Sequence, residues 1–305
     1  MTFHSCEICG NNNWREIYRG PVRDGVFGNK RQNAIVARCA NCGVDRLAEE
    51  YATPESVYET EAYRKKLQQG LDSESYFQIH DELQIHTLKM LWPTSLRDAV
   101  IADIGCAGGS LLDHLQGISA TQVAIEPSDV FRDSLAQRGY RVYPYAHDAL
   151  RDWAGQVNCA LSIQVIEHVP NPHAFLAGIR ELLAPNARLM ISTPNRNDIL
   201  MALLPDDFPE FFYRTVHRWY FDANSLAECA RRAGFDVVET CFAHRFGMAN
   251  AIAWLRDRRP TGRARIDAIG PLADDLWQSY LEQSGQSDCI YMILKPNAGE
   301  EGQQR

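Results

Sequence analysis

The chain has no run of about 18 apolar residues, so no segment of it reads as a membrane span. Its amino end, MTFHSCEICG, has no basic start leading into an apolar stretch, which argues against a secretory leader. Positive charge is scarce: 31 Lys and Arg stand against 39 Asp and Glu, a net charge of −8 with histidine neutral. Binding along a phosphate backbone rests on clustered cations, so nucleic acid is a poor partner for so acidic a chain. Together these absences read as a soluble, cytoplasmic protein. What is present can fill a core. Of 305 residues, 45% are hydrophobic, which suits one large domain, or a domain of about 200–250 residues beside a small module.

Four of the nine cysteines form two knuckles, Cys6-Glu7-Ile8-Cys9 and Cys39-Ala40-Asn41-Cys42, each followed by a glycine. A two-residue gap lets both thiolates of a pair face one ion, and the glycine permits the tight turn that follows. Two such pairs supply the tetrahedral sulfur set that zinc prefers. With all four positions filled by protein, that zinc is structural. Four buried thiols are the plainer alternative. Cys106, Cys159, Cys229, Cys241 and Cys289 stand singly and read as packing residues.

Between the knuckles, IYRGPVRDGVFGNKRQNAIVARC breaks short strand-like runs with Gly20-Pro21, Asp24-Gly25 and Gly28-Asn29, the punctuation of a β-hairpin. Residues 1–48 therefore read as a zinc ribbon too small to stand without its metal. Residues 49–95 read as a polar, tyrosine-bearing connector and then a helix. Tyr76, Ile79, Leu83 and Met90 form its loose apolar stripe, with His80 and His86 on a solvated face. From 96 to 296 the pattern is strand, turn, helix, repeated. Strands are expected over 99–104, 123–125, 140–143, 159–163, 188–192, 235–240 and 289–294. Helices are expected after the glycines at 108–109, up to Gly139, after Asn171-Pro172 and over 225–233. Residues 297–305 read as a disordered tail. This alternation predicts an α/β fold with a doubly wound, mostly parallel sheet, whose ligands sit at the carboxyl ends of the strands.

Residues 101–110, IADIGCAGGS, hold the glycine-rich loop of the first strand, and Glu126 ends the second strand in VAIEPS. A carboxylate there can accept both hydroxyls of a ribose, which fits a dinucleotide as well as an aminoacyl nucleoside. The combination with LSIQVIEHVPNPHAFLAGIRELLAPNARLMISTPN resembles the class I S-adenosylmethionine-dependent methyltransferases. Their first-strand signature places an acid, then alternate glycines, where Asp103, Gly105, Ala107 and Gly109 stand. Ala107 departs from it. Alanine is accommodated if its backbone keeps an ordinary conformation, and strained if φ is positive.

By this resemblance Glu126 holds the ribose hydroxyls, Asp148 lies near the adenine and Gln164 is close to the methionine part. Asn158 replaces an aspartate that usually begins the fourth strand. Glu167-His168 matches an acid–His pair that some ubiquinone-pathway members use to hold a metal with a further glutamate. That position is Gln164 here, which weighs against a catalytic metal and favours an ordering role for the pair.

The ribbon and YATPESVYETEAYRK resemble a subgroup of methyltransferases acting on sugars in polysaccharide and deoxysugar pathways. C-methylating members carry a large further carboxyl-terminal domain not found in this sequence, which favours oxygen as acceptor. The stretch FPEFFYRTVHRWYF follows the fifth strand, where this fold commonly builds its acceptor lid. His217 matches the histidine of a T-x-H-x-x-Y/F pattern and is the expected general base, with Tyr213 and Tyr220 as substitutes. Packing among aromatics explains that histidine equally well. Arg256, Arg258, Arg259, Arg263 and Arg265 suit the diphosphate of a nucleotide-linked sugar, or form a solvated loop. RNA or protein methylation guided by the ribbon, and a non-enzymatic cofactor-binding scaffold, are the competing readings.

Overall fold

The computed structural model describes residues 3–26, 28–67, 73–91, 96–260 and 265–297. Arg263 and nearly all of the expected tail lie outside them. Two sheets carry the fold. The first is built from β1 (Trp14–Arg23), β2 (Lys30–Cys39) and β3 (Asp45–Leu47), all antiparallel. The second, seven-stranded sheet contains β4 (Val100–Ile104), β5 (Thr121–Ile125), β6 (Arg141–Tyr143), β7 (Val157–Ile163), β8 (Leu183–Pro194), β10 (Phe235–Ala243) and β11 (Cys289–Pro296). Its order is β10-β11-β8-β7-β4-β5-β6. Strands β8, β7, β4, β5 and β6 run parallel, and β11 is antiparallel to both β8 and β10.

Helices flank this sheet: α2 (Ser73–Leu91), α3 (Ser110–Leu115), α4 (Asp129–Gln137), α5 (Ala146–Trp153), α6 (Pro172–Leu182), α9 (Ala223–Arg232), α10 (Met248–Asp257) and α11 (Pro271–Ser284). Shorter ones are α1 (Ala62–Lys66), α7 (Ile199–Leu203) and α8 (Pro209–Phe212). The central strands are buried along nearly their whole length, as parallel strands covered on both faces must be. Asn171 accepts the Ala174 N–H at 2.9 Å with Pro172 at the first helical position, so α6 starts where the sequence places it.

Two expectations change. The ribbon is not a separate sheet: β3 pairs with β9 (Trp219–Tyr220), a strand from the stretch after β8. Cys6, Ile8, Cys39, Cys42 and Val44 share one apolar core with Trp219, Phe221, Leu226 and Cys229. Arg196 adds a polar clamp, donating to the Gly43 carbonyl, to Asp45 at 2.7 Å and to Asp222. The helix α2 also turns differently. Tyr76 is buried and Ile79 exposed, and His80 stacks on Tyr76 at 4.1 Å between ring centroids rather than facing solvent.

Among the described residues, no helix is long and apolar enough to cross a membrane.

Candidate functional site

A cavity of about 770 Å³ opens at the carboxyl ends of β4, β5 and β7. Asp103, Gly105, Ala107, Glu126 and Gln164 line it together. Gly109 and Asp148 do not. Gly109 sits behind the wall as the left-handed N-cap of α3. Asp148 lies on α5 and receives the Tyr145 N–H at 3.1 Å, and of this turn Pro144, Tyr145, Ala146 and His147 line the cavity instead of it. The capping box of that helix consumes the carboxylate.

Gly105 has φ +78°, and a Cβ there would meet Val165 Cγ2 at 2.5 Å. Only glycine fits. Of the two alternatives for Ala107 the strained one holds, since its φ is +46°. A left-handed L-residue costs about 1–2 kcal/mol. The compensation is local: the Ala107 N–H donates to Glu126 Oε2 at 2.7 Å, and the Ser128 N–H to Oε1 at 2.8 Å. Each carboxylate oxygen keeps a second lone-pair direction, so Glu126 can still take two hydroxyls.

Burial raises the Glu126 carboxyl, against the pull of those two N–H groups. Burial, helped by the Glu126 charge, pushes Asp103 up to about 7. Both carboxylates are thus poised for a ligand that carries positive charge.

The same cavity is lined by Tyr58, Tyr63, Arg64 and His168. The first three come from the stretch read as a connector. Their signal was present in its tyrosines, but nothing in the periodicity folds that stretch over a strand end 100 residues away. His168 Nδ1 lies 2.6 Å from the Val216 carbonyl oxygen. A carbonyl only accepts, so Nδ1 carries the hydrogen and Nε2 is left as the basic nitrogen. Burial drops His168 to about 4, so it is neutral near pH 7. Gln164, with φ +58°, turns its amide nitrogen to Ser192 Oγ and Cys289 Sγ, both at 3.2 Å.

His217 is placed differently from the expectation. It lines a second, smaller cavity and not the larger one. Its ring meets that of His168 edge-on at 4.8 Å, and Arg214 Nη1 stands 3.5 Å from its Nε2. Burial and then the Arg214 charge hold it well below its ordinary value. Tyr213 and Tyr220 line neither cavity. Both are packed in the ribbon–lid core, and Tyr220 Oη bonds the Arg214 backbone N–H and carbonyl at 2.8 and 3.0 Å. The substitute bases are therefore structural.

Glu167, His168 and His217 bring their ligand atoms within 4.8 Å of one another. As a metal site the set is poor. Gln164 offers an amide already bonded elsewhere, and the Arg214 guanidinium occupies the cationic place beside His217. The pair does order the turn. The Glu167 carbonyl accepts the Arg218 and Trp219 N–H groups at 2.7 and 3.1 Å, pinning the lid to the end of β7.

The other cluster fits a metal well. Cys6, Cys9, Cys39 and Cys42 have Sγ atoms within 4.8 Å, with Cys6–Cys42 at 3.6 Å and Cys9–Cys39 at 3.5 Å. Zn–S bonds of about 2.3 Å in a tetrahedron put sulfurs ~3.8 Å apart.

The described arginines of the cluster lie away from the larger cavity. Arg256 pairs with Asp257 at 2.7 Å and Arg258 with Asp207 at 3.1 Å. Among the described residues, none of Arg256, Arg258, Arg259 and Arg265 lines the larger cavity, where the guanidinium groups are those of Arg64 and Arg245.

A sequence model of the family described as a methyltransferase domain matches residues 77–240, more than half of the chain. The ubiquinone biosynthesis O-methyltransferase of Cereibacter sphaeroides is 29% identical over 175 residues, 53% of this chain and 68% of that protein. Its namesake in Dinoroseobacter shibae is 28% identical over 159 residues, 48% of this chain and 64% of that protein. The chain thus spans about two thirds of the length of these relatives. They lend no support to a sugar acceptor. Among solved structures, a SAM-dependent methyltransferase from Archaeoglobus fulgidus superposes with a TM-score of 0.49 at 16% identity, over 73% of this chain and 97% of that one. With the glycine loop and Glu126 inside the matched span, this chain belongs to the methyltransferase-domain family and is a class I S-adenosylmethionine-dependent methyltransferase.

Proposed function

We propose that the chain transfers the methyl group of S-adenosylmethionine to a hydroxyl of a small-molecule acceptor, with Glu126 on the ribose and His168 as the general base. One observation carries this: a single cavity is lined by the Gly105–Ala107 loop, Glu126 and His168 together. At about 770 Å³ it lies high in the ~300–1,000 Å³ range of ligand pockets, with room for two ligands. Transfer is an in-line displacement. The acceptor oxygen forms its bond to the methyl carbon as the sulfur–carbon bond breaks and sulfur keeps the electron pair. The acceptor's proton goes to His168 Nε2. Oxygen as acceptor is supported by the O-methyltransferase names of the two relatives.

A sugar hydroxyl is the second reading, resting on the ribbon's resemblance. A diphosphate-linked sugar has less support, since Arg256 and Arg258 are paired with Asp257 and Asp207. Label transfer from methyl-labelled S-adenosylmethionine, with phenols, sugars, nucleotide sugars and RNA as acceptors, tests the proposal. Labelled ether on a small molecule is the expected product. Transfer to RNA or protein alone would sink it.

Glu126→Ala is expected to weaken cofactor binding by about 2–3 kcal/mol, the worth of a charged hydrogen-bonding group. Calorimetry finding the affinity unchanged would remove Glu126 from the ribose.

A further inference from the structure

The smaller cavity, about 290 Å³, is walled by Arg23, Arg214, His217, Phe211, Trp254 and Arg245. Arg23 ends β1 and Arg214 belongs to the lid. Backbone bonds tie them side by side: the Arg23 N–H donates to Tyr213, the Thr215 N–H donates to Arg23, both at 2.9 Å, and Arg23 and Arg214 form a parallel bridge. The Arg23 guanidinium lies 4.4 Å over the Phe211 ring.

What is missing is a counterion. The Nε atoms of Arg23 and Arg214 are buried without a hydrogen-bond partner. Among the described residues no carboxylate forms an ion pair with either. The acids in the same wall are committed elsewhere: Asp288 to Arg245 at 2.6 Å, and Asp198 to the Leu200 N–H at 2.8 Å. Two adjacent guanidinium groups with buried Nε atoms and no paired acid are costly to maintain, the Glu167 carboxylate acting on Arg214 only as a nearby charge. Burial and the neighbouring Arg214 pull Arg23 down to about 9. An oxyanion between the two forks would satisfy both Nε–H donors and remove the repulsion.

The position gives that anion a use. Arg245 lines both cavities, and His217 in this wall touches His168 in the other. We propose that the smaller cavity recognises the acceptor, and that Arg23 and Arg214 together bind an oxyanion, carboxylate or phosphate, carried on the acceptor's apolar body. The word acceptor rests on the methyl-transfer reading. The anion site itself does not. Phe211, Trp254 and Phe208 supply the apolar walls. The ribbon thereby gains a direct part in recognition, because Arg23, at the end of β1, is bonded through its own backbone to the lid residues Tyr213 and Thr215.

The test is calorimetry on the full zinc-loaded chain with sodium benzoate and inorganic phosphate, and with benzamide as the uncharged control. Saturable binding of at least one anion is expected, with benzamide silent. A preference for benzoate assigns a carboxylate, a preference for phosphate a phosphoryl group. Arg23→Gln and Arg214→Gln should each weaken binding at least about tenfold, with Arg23→Lys restoring part of it and S-adenosylmethionine affinity unchanged. If Arg214→Gln sheds zinc, Arg23→Gln decides alone. The proposal falls if neither anion saturates, if the glutamine variants bind as the parent does, or if benzamide binds as well as benzoate. Anion binding is read without turnover, so failed methyl transfer would leave this result standing, and the reverse holds too.

Discussion

Cys39→Ser is expected to yield a chain without stoichiometric zinc and with its lid released. Structural zinc contributes about 10–16 kcal/mol of apparent binding energy in small domains, and that energy is folding energy. Removing one of four thiolates forfeits most of it. The consequence spreads beyond residues 1–48. A zinc ion on the four cysteines would fix the knuckles that hold the end of β2 and the turn into β3, and β3 pairs with β9 through Asp45–Tyr220 and Arg46–Trp219. Unpinning β9 loosens the stretch that carries Arg214 and His217. The cofactor end rests on β4 and β5 in the other sheet, so S-adenosylmethionine should still bind. Metal analysis, with hydrogen exchange along Trp219–Tyr220, checks both halves. One zinc per chain in the variant would reject the four-cysteine site, and unchanged exchange at β9 would reject its link to the lid.

The sheet and the cofactor loop were legible because both are local. Five parallel strands announce themselves as apolar runs closed by turn residues, and Gly105 marks the turn at the end of the first strand by a positive φ of +78° that favours glycine. Asp148 shows where such reading stops: a short-range capping bond on α5 outweighs the role that resemblance assigns to it. Ala107 is undecided in the sequence for a different reason. Its strain is relieved by Glu126, nineteen residues on, a partner that no periodicity reveals. The acceptor side was the least legible. Tyr58, Arg23 and His168 converge from the connector, the ribbon and the end of β7, and only the tertiary structure brings them within reach of one another. A pattern match chose His217. The pairing of His168 Nδ1 with the Val216 carbonyl points one histidine away.

His168→Ala is expected to lower turnover by roughly 10²–10⁴-fold, the usual worth of a general base, with little change in cofactor affinity. The pH profile separates this from loss of packing. Because burial holds His168 at about 4, its basic form is present throughout the neutral range, and the wild-type rate should show no histidine step near ~6.5. It should fall only as the pH drops through about 4. Stability follows the same group. Below ~6.5 the unfolded chain takes up a proton that folded His168 refuses, so stability is full above that pH and is lost on acidification toward the folded value. His168→Gln should flatten that loss and still lack turnover, which a purely structural residue would not do. His217→Ala should cost less, because His217 reaches the larger cavity only through the His168 ring. The roles exchange if His217→Ala abolishes turnover while His168→Gln retains it, and the Val216 bond would then serve the lid alone.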